Sequence, residues 1–293
     1  MTGILHRMGY QTIDVRPIAG ALGAEIDGFD LSQPLDERTF DAVHRALLDH
    51  LVIFFRDQTL TPREQLVFAR RFGGIHQHPS VKGLPDCPEI MPVIKEAGDT
   101  RTFGSAWHSD QMFTARPATG TMLYAKAVPP VGGDTLYANM YMAYDALSDS
   151  MKDMLAALKT FSVGDRFKQA GGKSRAQRYA GTSKMGELLK DPGNVQTESA
   201  HPLIRTHPET GRKTLYIGSH AQRFERMSDA ESAPLLAFLK THAVRPEFTC
   251  RFTWAEGSLA FWDNRCTQHF AIGDYDGHRR EMHRITIAGD TPF

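Results

Sequence analysis

The stretch Trp107–His108–Ser109–Asp110 sets an imidazole and a carboxylate two positions apart. In an extended chain residues i and i+2 share a face, so His108 and Asp110 can reach one point. Both side chains are metal ligands. Read plainly, they are also two polar residues beside a turn. Two ligands hold a metal weakly, whereas a facial iron(II) site takes two histidines and a carboxylate and leaves positions open for substrates. A third, distant histidine is therefore required. Of the 13 histidines, His269 is the best placed, because it follows the apolar run "SLAFWD" where a strand should end. His201 and His207 sit beside prolines in loop-like surroundings, and His44 and His242 fall in helical runs. His76 and His78 make a second closely spaced pair, in "HQH".

The segment "RREMHRITI" follows His269. Read as a strand, it puts Arg280, Met282, Arg284 and Thr286 on one face and Glu281, His283, Ile285 and Ile287 on the other. A solvated face could carry two arginines. Guanidinium groups also grip carboxylates and sulfonates bidentately, so a metal triad followed by inward arginines suits work on small organic anions.

The elements that must position these residues show as periodic runs. "DERTFDAVHRALLDH" has a helical apolar face, followed by "LVIFF", Leu51 to Phe55, as a buried strand. "TPREQLVFARRFGG" opens on a capping box of Thr61 and Glu64 with Pro62 at the first helical position, and Gly73 and Gly74 end it. Ser228 and Glu231 repeat the device, and "YDALSDSMKDMLAAL" is another amphipathic helix candidate. "GTMLYAKAV", "DTLYANM", "TLYIG", "FTCRFTW", "SLAFWD" and "RITIAG" are β-prone runs separated by turn signals. Short strands with peripheral helices predict a β-sandwich or barrel decorated by helices, without a βαβ repeat. The stretch 164–200 is rich in Gly, Lys, Ser and Gln and reads as a lid or a surface insertion.

Composition narrows the class. At 293 residues with 41% hydrophobic and 23% charged content, the chain can bury a real core. Thirty-four basic residues balance 34 acidic ones, which leaves no electrostatic footprint for nucleic acid or an anionic membrane. Three scattered cysteines form no C-x-x-C. With no signal-peptide or membrane-spanning run, they point to a reducing, cytoplasmic setting.

"HQHP", "WHSD", "VPPVGGDTLYANM", "HPLIRTHPETGRKTLYIG", "FWDNRCTQH" and "RREMHRITI", in this order, make nearly the whole chain resemble the TauD/TfdA family of iron(II)- and 2-oxoglutarate-dependent dioxygenases. The resemblance implies a mainly β fold with flanking helices, a double-stranded β-helix (a cupin-like jelly roll). It implies one domain over 1–293 with a lid or insert at about 164–200. Iron(II) would be held by His108, Asp110 and His269, and 2-oxoglutarate, consumed with O2, by Thr135 and Arg280. Arg284 and His78 would face the anionic head of the substrate, near the backbone at Gln111. The implied substrate is a small organic anion: a sulfonate, alkyl sulfate or aryloxyalkanoate. Related enzymes are dimers or tetramers, which implies a homo-oligomer. Val81, Lys168 and Ala221 stand where taurine-type members enclose their substrate with aromatic rings, which implies a roomier or differently charged pocket and counts against taurine itself. Two other readings are a jelly-roll binding protein without catalysis and a zinc hydrolase. The latter lacks a paired carboxylate or an H-E-x-x-H base.

Overall fold

The computed structural model describes residues 10–165, 171–190 and 197–293. Sixteen strands and seven α-helices are distinguished among them. A large mixed sheet runs in the order β1 (Asp14–Pro17), β2 (Ala24–Asp27), β3 (Val52–Phe55), β14 (Leu259–Asp263), β6 (Gly120–Ala127), β16 (Arg280–Ile287) and β4 (Ile75–His76). β5 (Met91–Lys95) also pairs with β16. Only the β2–β3 pairing is parallel in this sheet. A smaller antiparallel sheet, β13 (Thr249–Phe252), β7 (Thr135–Asn139) and β15 (Thr267–Ala271), forms the facing wall.

Between the two walls lies a core of Leu123, Tyr137, Phe252, Trp254, Trp262 and Met282. Phe54 and Phe252 stack across it, ring centroids 3.9 Å apart. The alternation read in β16 explains the layering. Met282 joins this inner core, while Ile285 and Ile287 face the opposite way, into a second core under α1 (Glu37–His50) and α2 (Pro62–Arg70). Each fully buried side chain of this size contributes about 1.5–3 kcal/mol.

A third sheet, β12 (Ala221–Phe224), β8 (Lys159–Val163) and β9 (Glu198–Pro202), lies beside the hairpin of β10 (Ile204–Thr206) and β11 (Lys213–Leu215). This layer packs with α3 (Met140–Asp145), α4 (Asp149–Leu155) and α7 (Asp229–Ala243) around Leu155, Leu203, Ile217, Phe224 and Leu239. The short helices α5 (Arg175–Tyr179) and α6 (Lys184–Leu188) precede β9.

The capping boxes at Thr61 and Ser228 form as expected. Four expectations change. The amphipathic stretch at 144–158 is two helices: Ser148 accepts from Met151 N and starts α4 anew after α3 has ended at Ala146. "TLYIG" is extended only to Leu215, because Tyr216 N turns to Leu203 O instead of continuing the ladder. His201 lies within β9 rather than in a loop, whereas His207 does fall outside the strands, fully buried. His269 lies in the middle of β15, one strand beyond "SLAFWD".

The end of β16 is a close crossing. Ala288 N bonds Gly74 O and Thr119 N bonds Ile287 O, so at Gly289 a Cβ would come 1.5 Å from the carbonyl oxygen of Pro117. Gly289→Ala should therefore displace one backbone, costing about 2–3 kcal/mol and lowering the Tm by roughly 5–10 °C. Gly20→Ala, with nothing within 4 Å, should leave the Tm within about 2 °C. Equal melting of the two variants would contradict the crossing.

Candidate metal centre

β15 and the loop 101–119 build the site together. The loop is not a strand. It meets β15 in a single antiparallel bridge, in which His108 N donates to His269 O (3.1 Å) and His269 N donates to His108 O (2.8 Å). Asp110 lies in the turn after the bridge, and Gln111 takes a left-handed backbone (φ 56°) to complete it. The i, i+2 argument is thus right about convergence and wrong about the cause: a turn, not a pleat, brings Asp110 round.

The donor atoms of His108, Asp110 and His269 lie within 4.8 Å of one another. Each histidine Nε2 is 3.7 Å from Asp110 Oδ1, too long for a hydrogen bond and open enough for an ion between them. His108 Nδ1 lies 2.6 Å from Ala106 O. A carbonyl only accepts, so Nδ1 carries the proton and Nε2 keeps its lone pair for a metal. Burial, and then the neighbouring His108, push the pKa of His269 well below the ordinary imidazole value, which keeps it in the neutral, ligating form. Two imidazole nitrogens and one carboxylate fit a divalent first-row metal with open positions.

Asp110 is the electrostatic centre. Burial alone would raise its pKa, but the Arg284 guanidinium, aided by the hydrogen bond from Thr121, outweighs it and holds the carboxyl well below the usual range. Arg284 Nη2 is 2.7 Å from Oδ1. Thr121 donates to Oδ2 at 2.6 Å, Asn264 Nδ2 donates to Thr121 at 2.8 Å, and Asn264 Oδ1 accepts from Asp110 N and from Trp262 Nε1. Thr121 and Asn264 escaped the sequence reading. Thr121 stands inside a β-prone stretch and Asn264 in the turn just after one, where nothing marks a polar residue as a buttress.

A second group, His207, Asp263 and Cys266, also gathers among the described residues. Its carboxylate is already spent. Arg265 holds both oxygens of Asp263 (2.9 and 2.6 Å), and His207 Nε2 lies 3.0 Å from one of them. It is a buried ion network.

Two cavities meet at the triad. The larger, about 220 Å³, is lined by His78, Gln111, Phe113, Tyr179, His220 and Arg284 among others, and it reaches His108 and Asp110. The smaller, about 50 Å³, is lined by Thr135, Arg280, Arg284, His269, Trp262 and Leu123. All eight site residues singled out in the sequence line one cavity or the other. His76, from the rival histidine pair, sits on β4 opposite Thr286 and is not among the clustered donors.

The pocket comparison drawn from Val81, Lys168 and Ala221 does not carry over. Val81 is buried against Met185 and Met91, and Ala221 packs in the third core. Lys168 lies outside the described residues. The rings at the larger cavity come instead from Phe103, Phe113 and Tyr179. Tyr179 and Arg178 belong to α5, and Arg178 Nη2 is 3.2 Å from Asp165. This segment is tied to the strip bearing His78 by Lys82 N to Leu188 O and Lys190 N to Ser80 O, 2.9 Å each.

Comparison with known proteins gives the same answer from a separate direction. Residues 14–286 match the family described as "Taurine catabolism dioxygenase TauD, TfdA family". A sulfate ester dioxygenase of Pseudomonas putida, named as alpha-ketoglutarate-dependent, is 34% identical over 96% of this chain and 91% of its own. The alpha-ketoglutarate-dependent 2,4-dichlorophenoxyacetate dioxygenase of Cupriavidus pinatubonensis is 32% identical over 95% and 99%. The crystal structure of a taurine dioxygenase from Burkholderia xenovorans superposes with a TM-score of 0.79 at 33% identity, covering 96% of this chain and 91% of that one. The jelly-roll fold is shared, and the readings as a binding protein or a zinc hydrolase give way. The chain belongs to the TauD/TfdA family and is an iron(II)-dependent dioxygenase that uses 2-oxoglutarate and O2.

Proposed function

We propose that this enzyme hydroxylates a short organic anion, with a sulfate ester as the first substrate to test and sulfonates and aryloxyalkanoates next. The observation that carries the reading is the meeting of the two cavities at His108, Asp110 and His269, with a buried arginine serving each. His108, Asp110 and His269 hold the iron. When bound there with 2-oxoglutarate, the metal couples O2 reduction and decarboxylation to succinate and carbon dioxide with hydroxylation of a substrate C–H.

The chain's own work is placement and exclusion of water. Thr135 and Arg280 take the far carboxylate of 2-oxoglutarate in the smaller cavity. Arg280 is suited to this: its Nε and Nη2 are buried without a protein partner. Arg284, with His78 and the backbone at Gln111, takes the substrate's anionic head. Its contact with Asp110 then couples substrate charge to the metal's carboxylate. The described part of the 164–200 segment between the strands, residues 171–190, serves as a lid, with Tyr179 and Arg178 closing the larger cavity. If the hydroxylated carbon bears a sulfate oxygen, the adduct collapses to an aldehyde and sulfate. The enzyme works in the cytoplasm as a homo-oligomer, a dimer or tetramer, which sedimentation can test.

Metal-free protein given iron(II) and 2-oxoglutarate without oxygen should develop the weak visible band of the chelate. Hexyl sulfate, an alkanesulfonate or a phenoxyacetate should then perturb it. Asp110→Ala should bind no iron at stoichiometric concentration and show no turnover, and retained turnover would refute the ligand set. Thr121→Val, which leaves the carboxylate unsupported, should weaken iron binding by about ten- to a hundredfold. Arg280→Ala should raise the 2-oxoglutarate requirement far more than the substrate requirement, and Arg284→Ala the reverse. Exchanged patterns would mean that the two arginines have exchanged roles.

A further inference from the structure

Behind the smaller cavity, Trp254 touches both residues assigned to the co-substrate. Its indole Nε1 donates to Thr135 Oγ1 at 3.0 Å, out of contact with solvent. The Arg280 guanidinium lies against its ring, 5.6 Å from the centroid. Trp254, Thr135 and Arg280 are 7%, 2% and 5% exposed.

An indole N–H can only donate, so the threonine oxygen is the acceptor in this pair. One of its lone pairs is therefore taken from behind. Its own O–H meets no protein acceptor among the described residues and is left to turn into the cavity that Thr135 lines. Arg280 presents Nε and Nη2, both buried without hydrogen-bond partners. Without the ring, the hydroxyl could rotate and the guanidinium would lose an aromatic face that favours cations. A carboxylate entering the cavity thus meets donors that are already aimed.

We propose that Trp254 is a positioning residue for 2-oxoglutarate: its N–H aims the Thr135 hydroxyl, and its ring face holds Arg280, toward the far carboxylate. The inference rests on the assignment of Thr135 and Arg280 made above. Trp254 also packs edge-on against Phe252, centroids 4.9 Å apart, so the test must separate aiming from packing.

The test is a thermodynamic cycle on the dissociation constant of 2-oxoglutarate, read anaerobically from the iron(II) chelate band. It uses the wild type, Thr135→Val, Trp254 replaced by benzothienylalanine (the same fused ring without its N–H), and the two changes together. Removing the N–H should weaken binding about fivefold, and Thr135→Val about tenfold. The double variant should bind within about twofold of Thr135→Val alone, because the N–H has lost its target. Losses that multiply, or an unchanged affinity without the N–H, would overturn the aiming role. Trp254→Phe, whose smaller ring also loosens Arg280, should weaken binding more than benzothienylalanine does; equal losses would overturn the part assigned to the ring face. If Thr135→Val binds as tightly as the wild type, the Thr135 assignment itself fails and takes the aiming role with it.

Discussion

The structure turns on one buried carboxylate. Asp110 sits at the bottom of a turn with Arg284 2.7 Å away and the hydroxyl of Thr121 2.6 Å away. A carboxylate taken out of water is costly unless it is paired and hydrogen-bonded. Here the partners come from three strands or their ends: β16 supplies Arg284, β6 supplies Thr121, and the turn after β14 supplies Asn264. The neighbouring strands of the large sheet must be in register for this charge to be satisfied. Register, charge and ligand geometry are consequently one constraint. The left-handed Gln111 belongs to the same arrangement, since the turn that delivers Asp110 needs it.

The two-cavity layout follows from the arginines' places on β16. Arg280 and Arg284 lie on the same face, four residues apart, and a bulge falls between Glu281 and Met282. Each is buried; Asp110 pairs with Arg284, and Asp134 is the carboxylate that acts on Arg280. Buried cations in such a setting await an anion. Arg284 lines both cavities, while Arg280 lines only the smaller one. That asymmetry separates a dedicated co-substrate anchor from a residue that also senses the metal's own ligand.

Much of this was readable from residue types. The capping boxes at Thr61 and Ser228 announce helices because the reciprocal hydrogen bonds are local. The alternation in β16 announces its two faces because the pleat has a period of two. His108, Asp110 and His269 could be picked out because few side chains bind metals. The helix break at 146–148, the strand carrying His269 and the turn at Asp110 were not legible in the same way. The helix break is a local cap, Ser148 accepting from Met151 N, hidden by the continuous apolar pattern, whereas the other two are settled by tertiary contacts: β15 pairs with β7, and His108 bridges to β15. Thr121, Asn264 and Trp254 are silent in sequence for the same reason. Their partners lie 11, 154 and 119 residues away. The aromatic lining of the larger cavity was not foreseen, because only Val81, Lys168 and Ala221 were matched by position in sequence, whereas Phe103, Phe113 and Tyr179 reach it from other positions.

The reciprocal backbone bridge between His108 and His269 has a consequence for how such a site can diversify. Two hydrogen bonds of 3.1 and 2.8 Å anchor the loop to β15 at the ligand itself. The chain on either side of residues 108–110 is then relieved of fixing the metal's geometry. Segments flanking the bridge can lengthen, shorten or change character, which reshapes the cavity wall while the ligands stay in place. Chemistry and selectivity are thereby written in separable stretches of one loop, and relatives that share the reaction can drift apart in what they accept.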